Sequence, residues 1–147
     1  MRSIRVRTAA HEDLPWCRKV DAMTPIRSLK RSVREDEALI AELRGLRIGY
    51  LRIEWLWSRY PYVAWIYVAR RYRRRGVGGA LLRFLEAQLA GKGFRVLHSS
   101  SQENAPEALK WHRKMGFVRC GRIVGINSDG SDEVFFRKAL PEPTPSA

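Results

Sequence analysis

Cysteine is scarce in this 147-residue chain: only Cys17 and Cys120, far apart in sequence. No Cys/His group has metal-ligand spacing, so no metal is expected. Two isolated thiols point to a reducing compartment, the cytoplasm, rather than a disulfide scaffold. No run of about 18 apolar residues occurs, so no membrane-spanning helix is expected. The opening stretch MRSIRVRTAAHEDL has no apolar segment of the kind a secretory signal needs. Acidic residues are also few, 15 against 28 Lys and Arg, which leaves a net charge of +13. That excess favours anionic partners. No helix-turn-helix, zinc-finger or RNA-recognition signature accompanies it, so nucleic acid is not the expected partner.

What is present is a globular composition, 45% hydrophobic and 29% charged, over a length that suits one domain. A single domain is expected over residues 1–140. The low-complexity tail 141–147, PEPTPSA, is expected to be disordered. Alternation around Ile4 and Val6 predicts a first strand. Helices are predicted over 12–22 and 26–36, with Pro25 between them. Strands follow at 38–43 and 46–57, joined by a turn at Arg44 and Gly45. A second turn is predicted at 58–61. The apolar run 63–69 reads as a strand buried on both faces. Val77, Ala80, Leu81, Phe84, Leu85 and Leu89 form a helical stripe that Gly91 and Gly93 end. A strand at 94–99, a helix at 105–115 and a hairpin around Asn127, Ser128, Asp129 and Gly130 complete the order. The fold class is α/β, with a mixed, mostly antiparallel sheet and at least one crossover, from 63–69 through the helix to 94–99.

The most informative segment is 70–80, RRYRRRGVGGA. An apolar strand precedes it and an amphipathic helix follows. Glycines let backbone approach a ligand, and the first N–H groups of a helix are unpaired and favour phosphate. Arginines add charge of the matching sign. A nucleoside triphosphate loop would need Lys then Ser or Thr, but Ala80 and Leu81 follow the glycines. A dinucleotide fingerprint would need a third glycine where Leu81 stands.

The pattern Arg73-x-x-Gly76-x-Gly78 resembles the R/Q-x-x-G-x-G/A signature of the GNAT superfamily, the acetyl-CoA-dependent N-acyltransferases. Further on, NAPEALKWHRKMGF resembles that superfamily's N-x-x-A-x-x-x-Y-x-x-x-G-F helix, and IRVRTAAHEDL its first strand and helix. The resemblance covers roughly residues 4–140. It implies a GNAT-like sheet flanked by about four helices, acetyl-CoA as acyl donor, and a primary amine as acceptor, with a homodimer left open. By the same resemblance, Arg73, Arg74, Arg75, Gly76, Val77, Gly78 and Gly79 hold the pyrophosphate. Backbone groups of Ile66, Tyr67 and Val68 take the pantetheine arm, and an amide near Val68 takes the thioester carbonyl. Asn104 matches the asparagine that contacts pantetheine, displaced by one residue; a helix N-cap is its other reading.

His112 occupies the place of the family tyrosine that protonates the leaving thiolate. A histidine can serve as such an acid. The strand before the loop carries no carboxylate to act as base. Glu54, among Ile53, Trp55 and Trp57, is the nearest candidate, and an apolar setting would suit a proton acceptor. His98 is a second. Trp55, Trp57, Tyr62, Trp65 and Tyr67 are read as core or as lining of the acceptor side. Neither cysteine falls in a nucleophile motif, so the amine is expected to attack the thioester directly. A catalytically weak acyl-CoA-binding module of the same fold is the alternative.

Overall fold

The computed structural model describes residues 3–142. The expected disorder of the tail therefore falls almost wholly outside the described residues. Seven strands form one sheet in the order β1-β2-β3-β4-β5-β7-β6. The strands are β1 (Arg5–Thr8), β2 (Ala38–Leu43), β3 (Leu46–Leu56), β4 (Tyr60–Val68), β5 (Val96–Gln102), β6 (Val118–Ile123) and β7 (Glu133–Ala139). The helices are α1 (Leu14–Val20), α2 (Ile26–Arg34), α3 (Val77–Gly91) and α4 (Pro106–Lys114). Pairing is antiparallel for β1 with β2, β2 with β3, β5 with β7 and β6 with β7, and parallel for β4 with β5, where Tyr62 and Val63 lie in register with His98 and Ser99. This is the expected crossover, made through α3.

The described residues divide into two compact units. One comprises the chain up to Glu54 together with Ala64–Leu85; the other comprises Trp55–Val63 and the chain from Glu86 on.

In the first unit, α1 starts after a 3₁₀ turn at His11–Asp13. Pro15 sits in its first turn, where a missing N–H costs nothing. Ile40, Tyr50, Cys17 and Ala38 form a core cluster, with Trp16 and Tyr67 packed against it. Two buried carboxylates brace the same unit. Asp13 accepts from Arg7, Arg47 and the Ala10 amide. Burial opposes its charge, but these donors hold its carboxyl well below the usual range. Asp21 accepts from Tyr50 and Arg52 at 2.8 and 2.7 Å. Burial, then the Asp13 and Asp21 charges, pushes the Cys17 thiol up to about 11, which leaves it unreactive.

Two turns differ in legibility. Arg44 and Gly45 both take left-handed φ, 53° and 77°, as a tight hairpin turn requires. The β3–β4 turn falls earlier than expected. Trp57 and Ser58 take the left-handed angles, 50° and 60°, and Pro61 lies buried inside β4. Nor is β4 buried on both faces: Trp65 is 40% exposed, and Ile66, Tyr67 and Val68 are half-buried.

In the second unit, β5 and β7 pair continuously from Val96 with Ala139 to Gln102 with Glu133. One face of this pair is buried through Leu97, Ser99, Ser101, Val134 and Phe136; the other, with His98, Ser100, Glu133 and Phe135, is half-open. β5 starts two residues later than expected because Phe94 is held at the end of α3, its amide bonded to Leu89.

Candidate functional site

Segment 70–80 has the expected strand–turn–helix form. β4 ends at Val68, a 3₁₀ turn spans Arg70–Tyr72, and α3 begins at Val77. Gly76 adopts φ +82°, which an L side chain rarely tolerates. A Cβ there would meet nothing within 4 Å, so the space beside the backbone is open. The Ala80 amide bonds the Gly76 carbonyl at 3.0 Å and closes the first helical turn. The amides of Val77, Gly78 and Gly79 therefore precede the helical ladder, with the positive end of the helix behind them.

Arg73, Arg74 and Arg75 are exposed beside these amides. Arg75 lies 5.9 Å from the centre of the Tyr72 ring. Arg73 folds back so that its Nε donates to the Val68 carbonyl at 3.0 Å. That contact ties the loop to the end of the strand whose backbone was expected to take the pantetheine arm.

Glu54 is exposed on β3, and its Oε2 accepts from Arg52 Nη1 at 2.5 Å. The apolar setting expected for it is not found. Alternation along the strand puts Glu54 on the face of Tyr50 and Arg52, away from Ile53. Arg52 is itself buried and tied to Asp21 and to Thr24, so it holds the Glu54 carboxylate in place.

His112 is 3% exposed. Its Nδ1 lies 2.8 Å from the Ala108 carbonyl and its Nε2 2.7 Å from Ser99 Oγ. A carbonyl can only accept, so Nδ1 carries the proton and neutral Nε2 accepts from the serine hydroxyl. The ring stacks on Phe136 with centres 4.4 Å apart and meets Phe117 edge-on. Burial lowers its proton affinity, so the imidazole is neutral at pH 7.

Asn104 is exposed, and its amide donates to Asp129 at 3.1 Å. It is not the N-cap: Ala105 holds that position, without a side-chain cap, and Pro106 begins α4. A proline in the first turn moves the helix start one residue past the asparagine.

The aromatic residues distribute over several partners. Trp55 packs on Phe94, Tyr67 on Trp16 and Tyr62 on Phe135, while Trp65 Nε1 donates to the Val20 carbonyl. Trp57 is 82% exposed. Sequence reasoning missed one polar array. Tyr62 Oη lies 2.6 Å from Ser100 Oγ, Ser100 donates to Glu133 Oε2 at 2.6 Å, and Asn127 donates to Glu133 Oε1 at 3.1 Å. No local motif joins these residues; only strand register could have found them. His98 lies alongside, its Nδ1 buried without a hydrogen-bond partner. Burial, then the Arg137 charge, lowers its proton affinity.

A model of the acetyltransferase (GNAT) family matches residues 4–117. The chain belongs to the GNAT acetyltransferase family. Solved GNAT structures reproduce its fold. Ard1 from Thermoplasma volcanium aligns with a TM-score of 0.84 at 16% identity, over 95% of this chain and 99% of that one. The ribosomal-protein-S18-alanine N-acetyltransferase of Escherichia coli aligns at 0.79 and 15% identity, over 99% of both chains. The NatC complex bound to Gag peptide and CoA aligns at 0.79 and 16% identity, over 95% and 99%. No curated relative matches the chain. Among the described residues, no helix is long and apolar enough to cross a membrane, and no group of His, Cys, Asp and Glu is arranged to hold a metal.

Proposed function

We propose that this GNAT protein transfers the acetyl group of acetyl-CoA to a primary amine, on a small molecule or on a peptide or protein, by direct attack. The observation that carries the reading is the start of α3. A left-handed Gly76, open space beside it, three amides ahead of the helical ladder and three exposed arginines suit a pyrophosphate. Arg73, Arg74, Arg75, Gly76, Val77, Gly78 and Gly79 would hold that group, and Ile66, Tyr67 and Val68 would meet the pantetheine arm through their backbone. Asn104, the remaining pantetheine candidate, is engaged with Asp129.

An ammonium acceptor must lose one proton before attack. Glu54 is the proposed base: it is exposed, and Arg52 fixes one of its oxygens. His112 has less support as the acid. Its transferable proton would have to pass through Ser99, and burial keeps the ring neutral. A thiolate can instead leave unassisted and be protonated by water, since a thiol pKa near 8.5 makes it a good leaving group. The buried histidine is also what favours a second reading, an acyl-CoA-binding module with little turnover. Thiol release from acetyl-CoA across a panel of amines, peptides and aminoglycosides separates the two. Release with any amine supports the transferase; tight binding of acetyl-CoA without release supports the module.

A further inference from the structure

We propose that β6 is a docking edge for an extended acidic segment of a partner protein, which adds to the sheet as one further strand. β6 ends the strand order, so one of its long sides has no strand beside it. Every residue of β6 is exposed. Val118 and Ile123 stand at its two ends, and Val124 and Ile126 continue the exposed apolar edge beyond it. An edge of this kind offers unpaired backbone donors and acceptors to another chain.

Charge and shape select the occupant. Arg119 pairs across the ladder with Phe136 and Arg122 with Val134, so both cations share the face on which His112 of α4 stacks against Phe136. Beside them lies an open groove of about 340 Å³, lined by Leu109, Arg113, Phe117, Val118, Arg119 and Phe136. It combines apolar walls with two guanidinium groups. Asp132 matches Arg122 at 2.9 Å, but among the described residues no carboxylate pairs with Arg113 or Arg119. A strand lying along β6 places alternate side chains on that face. A large apolar side chain there can enter the groove, and a carboxylate two residues away can meet Arg119 or Arg113.

A second copy fits this edge less well. The antiparallel self-pairing that sets Val118 beside Ile123 of the copy also sets Arg119 beside Arg122, cation against cation on one face. Each copy also carries a net charge of +13, which opposes their approach. The edge has a built-in reporter. Register passes from Arg119 opposite Phe136 to Gly121 opposite Phe135, so Cys120 is bulged out of the ladder, and it is exposed. Cys17 is buried, its thiol pushed up to about 11. Cys120 is therefore the thiol whose reaction shows whether β6 is covered.

The test follows the reaction of Cys120 in the full chain with an aromatic disulfide reagent, with Cys120→Ser as the blank. The probe is the peptide acetyl-EVFVEVE-amide, which puts Phe and Glu on one face and Val on the other; its capped N-terminus is no acceptor amine. This peptide is expected to slow the reaction saturably, and acetyl-KVFVKVK-amide to leave it unchanged. Replacing the peptide's Phe by Ala, or combining Arg113→Glu with Arg119→Glu in the protein, should weaken the protection at least about tenfold. Melting temperature and acetyl-CoA affinity of that double variant stay near wild type. N-methylation of one alternate set of peptide amides should abolish protection and that of the other set spare it, as strand pairing requires. No protection, equal protection by the lysine peptide, equal effects of the two N-methylated sets, or displacement of the peptide by acetyl-CoA overturns the proposal. Slow reaction of Cys120 without peptide, together with a dimer mass in sedimentation, assigns the edge to a second copy and also overturns it.

Discussion

Nε2 of His112 lies 2.7 Å from Ser99 Oγ in a buried setting, with Nδ1 committed to the Ala108 carbonyl. The pair joins α4 to β5 from inside the core. His112→Phe would fill the ring's volume against Phe136 but leave the buried Ser99 hydroxyl without its imidazole partner. A loss of about 1–3 kcal/mol in stability is expected, read by urea unfolding. Turnover at saturating acetyl-CoA should change less than tenfold in the folded variant. A far larger loss of kcat with stability preserved would restore the histidine as the acid.

Acid should destabilise the fold in two stages. Burial lowers the proton affinity of His98 and His112 below the ordinary value of 6.5. The unfolded chain then binds more protons as pH falls through 6.5, so stability present above that pH is lost below it. The limiting slope is about 1.4 kcal/mol per pH unit for each histidine. Asp13 has a folded value below its ordinary 3.8, so its contribution is present above about 3.8 and is lost as pH falls further. Urea midpoints from pH 8 to pH 3 should show both stages. His112→Phe should flatten the first and spare the second.

Gly49 holds β3 against the start of α3. A Cβ at that position would stand 2.7 Å from Val77 Cγ1 and 3.1 Å from Leu81 Cδ1. Gly49→Ala should cost about 1–3 kcal/mol by overpacking. Because Val77 opens α3, weaker acetyl-CoA binding should accompany the loss. Adding Val77→Ala should recover part of both, measured by thermal unfolding and calorimetric titration.

Charge beside the loop should act on affinity and respond to salt. Reversing Arg74 and Arg75 to Glu should weaken acetyl-CoA binding by at least about tenfold at low salt. The effect should shrink as ionic strength rises and the Debye length falls to about 3 Å at 1 M. Fluorescence titration at two salt concentrations checks this. The same reversal at Arg70 and Arg71, outside the Arg73-x-x-Gly76-x-Gly78 pattern, should have a smaller effect.

The sequence announced the parts of the fold that local physics determines. The stripe from Val77 to Leu89 became α3, Arg44 and Gly45 became the tight turn, and Gly76 became the left-handed turn ahead of the helix. Where tertiary packing decides, it said less. Serines have little preference for strands, yet Ser99, Ser100 and Ser101 lie in β5 because β7 pairs along its whole length. The turn expected at 58–61 includes Ser58, but the left-handed angles fall on Trp57 and Ser58, and a tryptophan gives no signal for such an angle. The Glu54 setting was misjudged from sequence neighbours, which on a strand point to opposite faces. Tyr62, Ser100 and Glu133 are joined only by register, which no short motif encodes.

The central claim is that the start of α3 holds the acyl donor. Isothermal titration of acetyl-CoA into wild type and Gly76→Val tests it most directly. A β-branched residue cannot readily take φ +82°. Saturable one-to-one binding by wild type, weakened at least about tenfold in a Gly76→Val variant that melts cooperatively, is the predicted result. No saturable binding by wild type, or equal affinity in the two proteins, would contradict it.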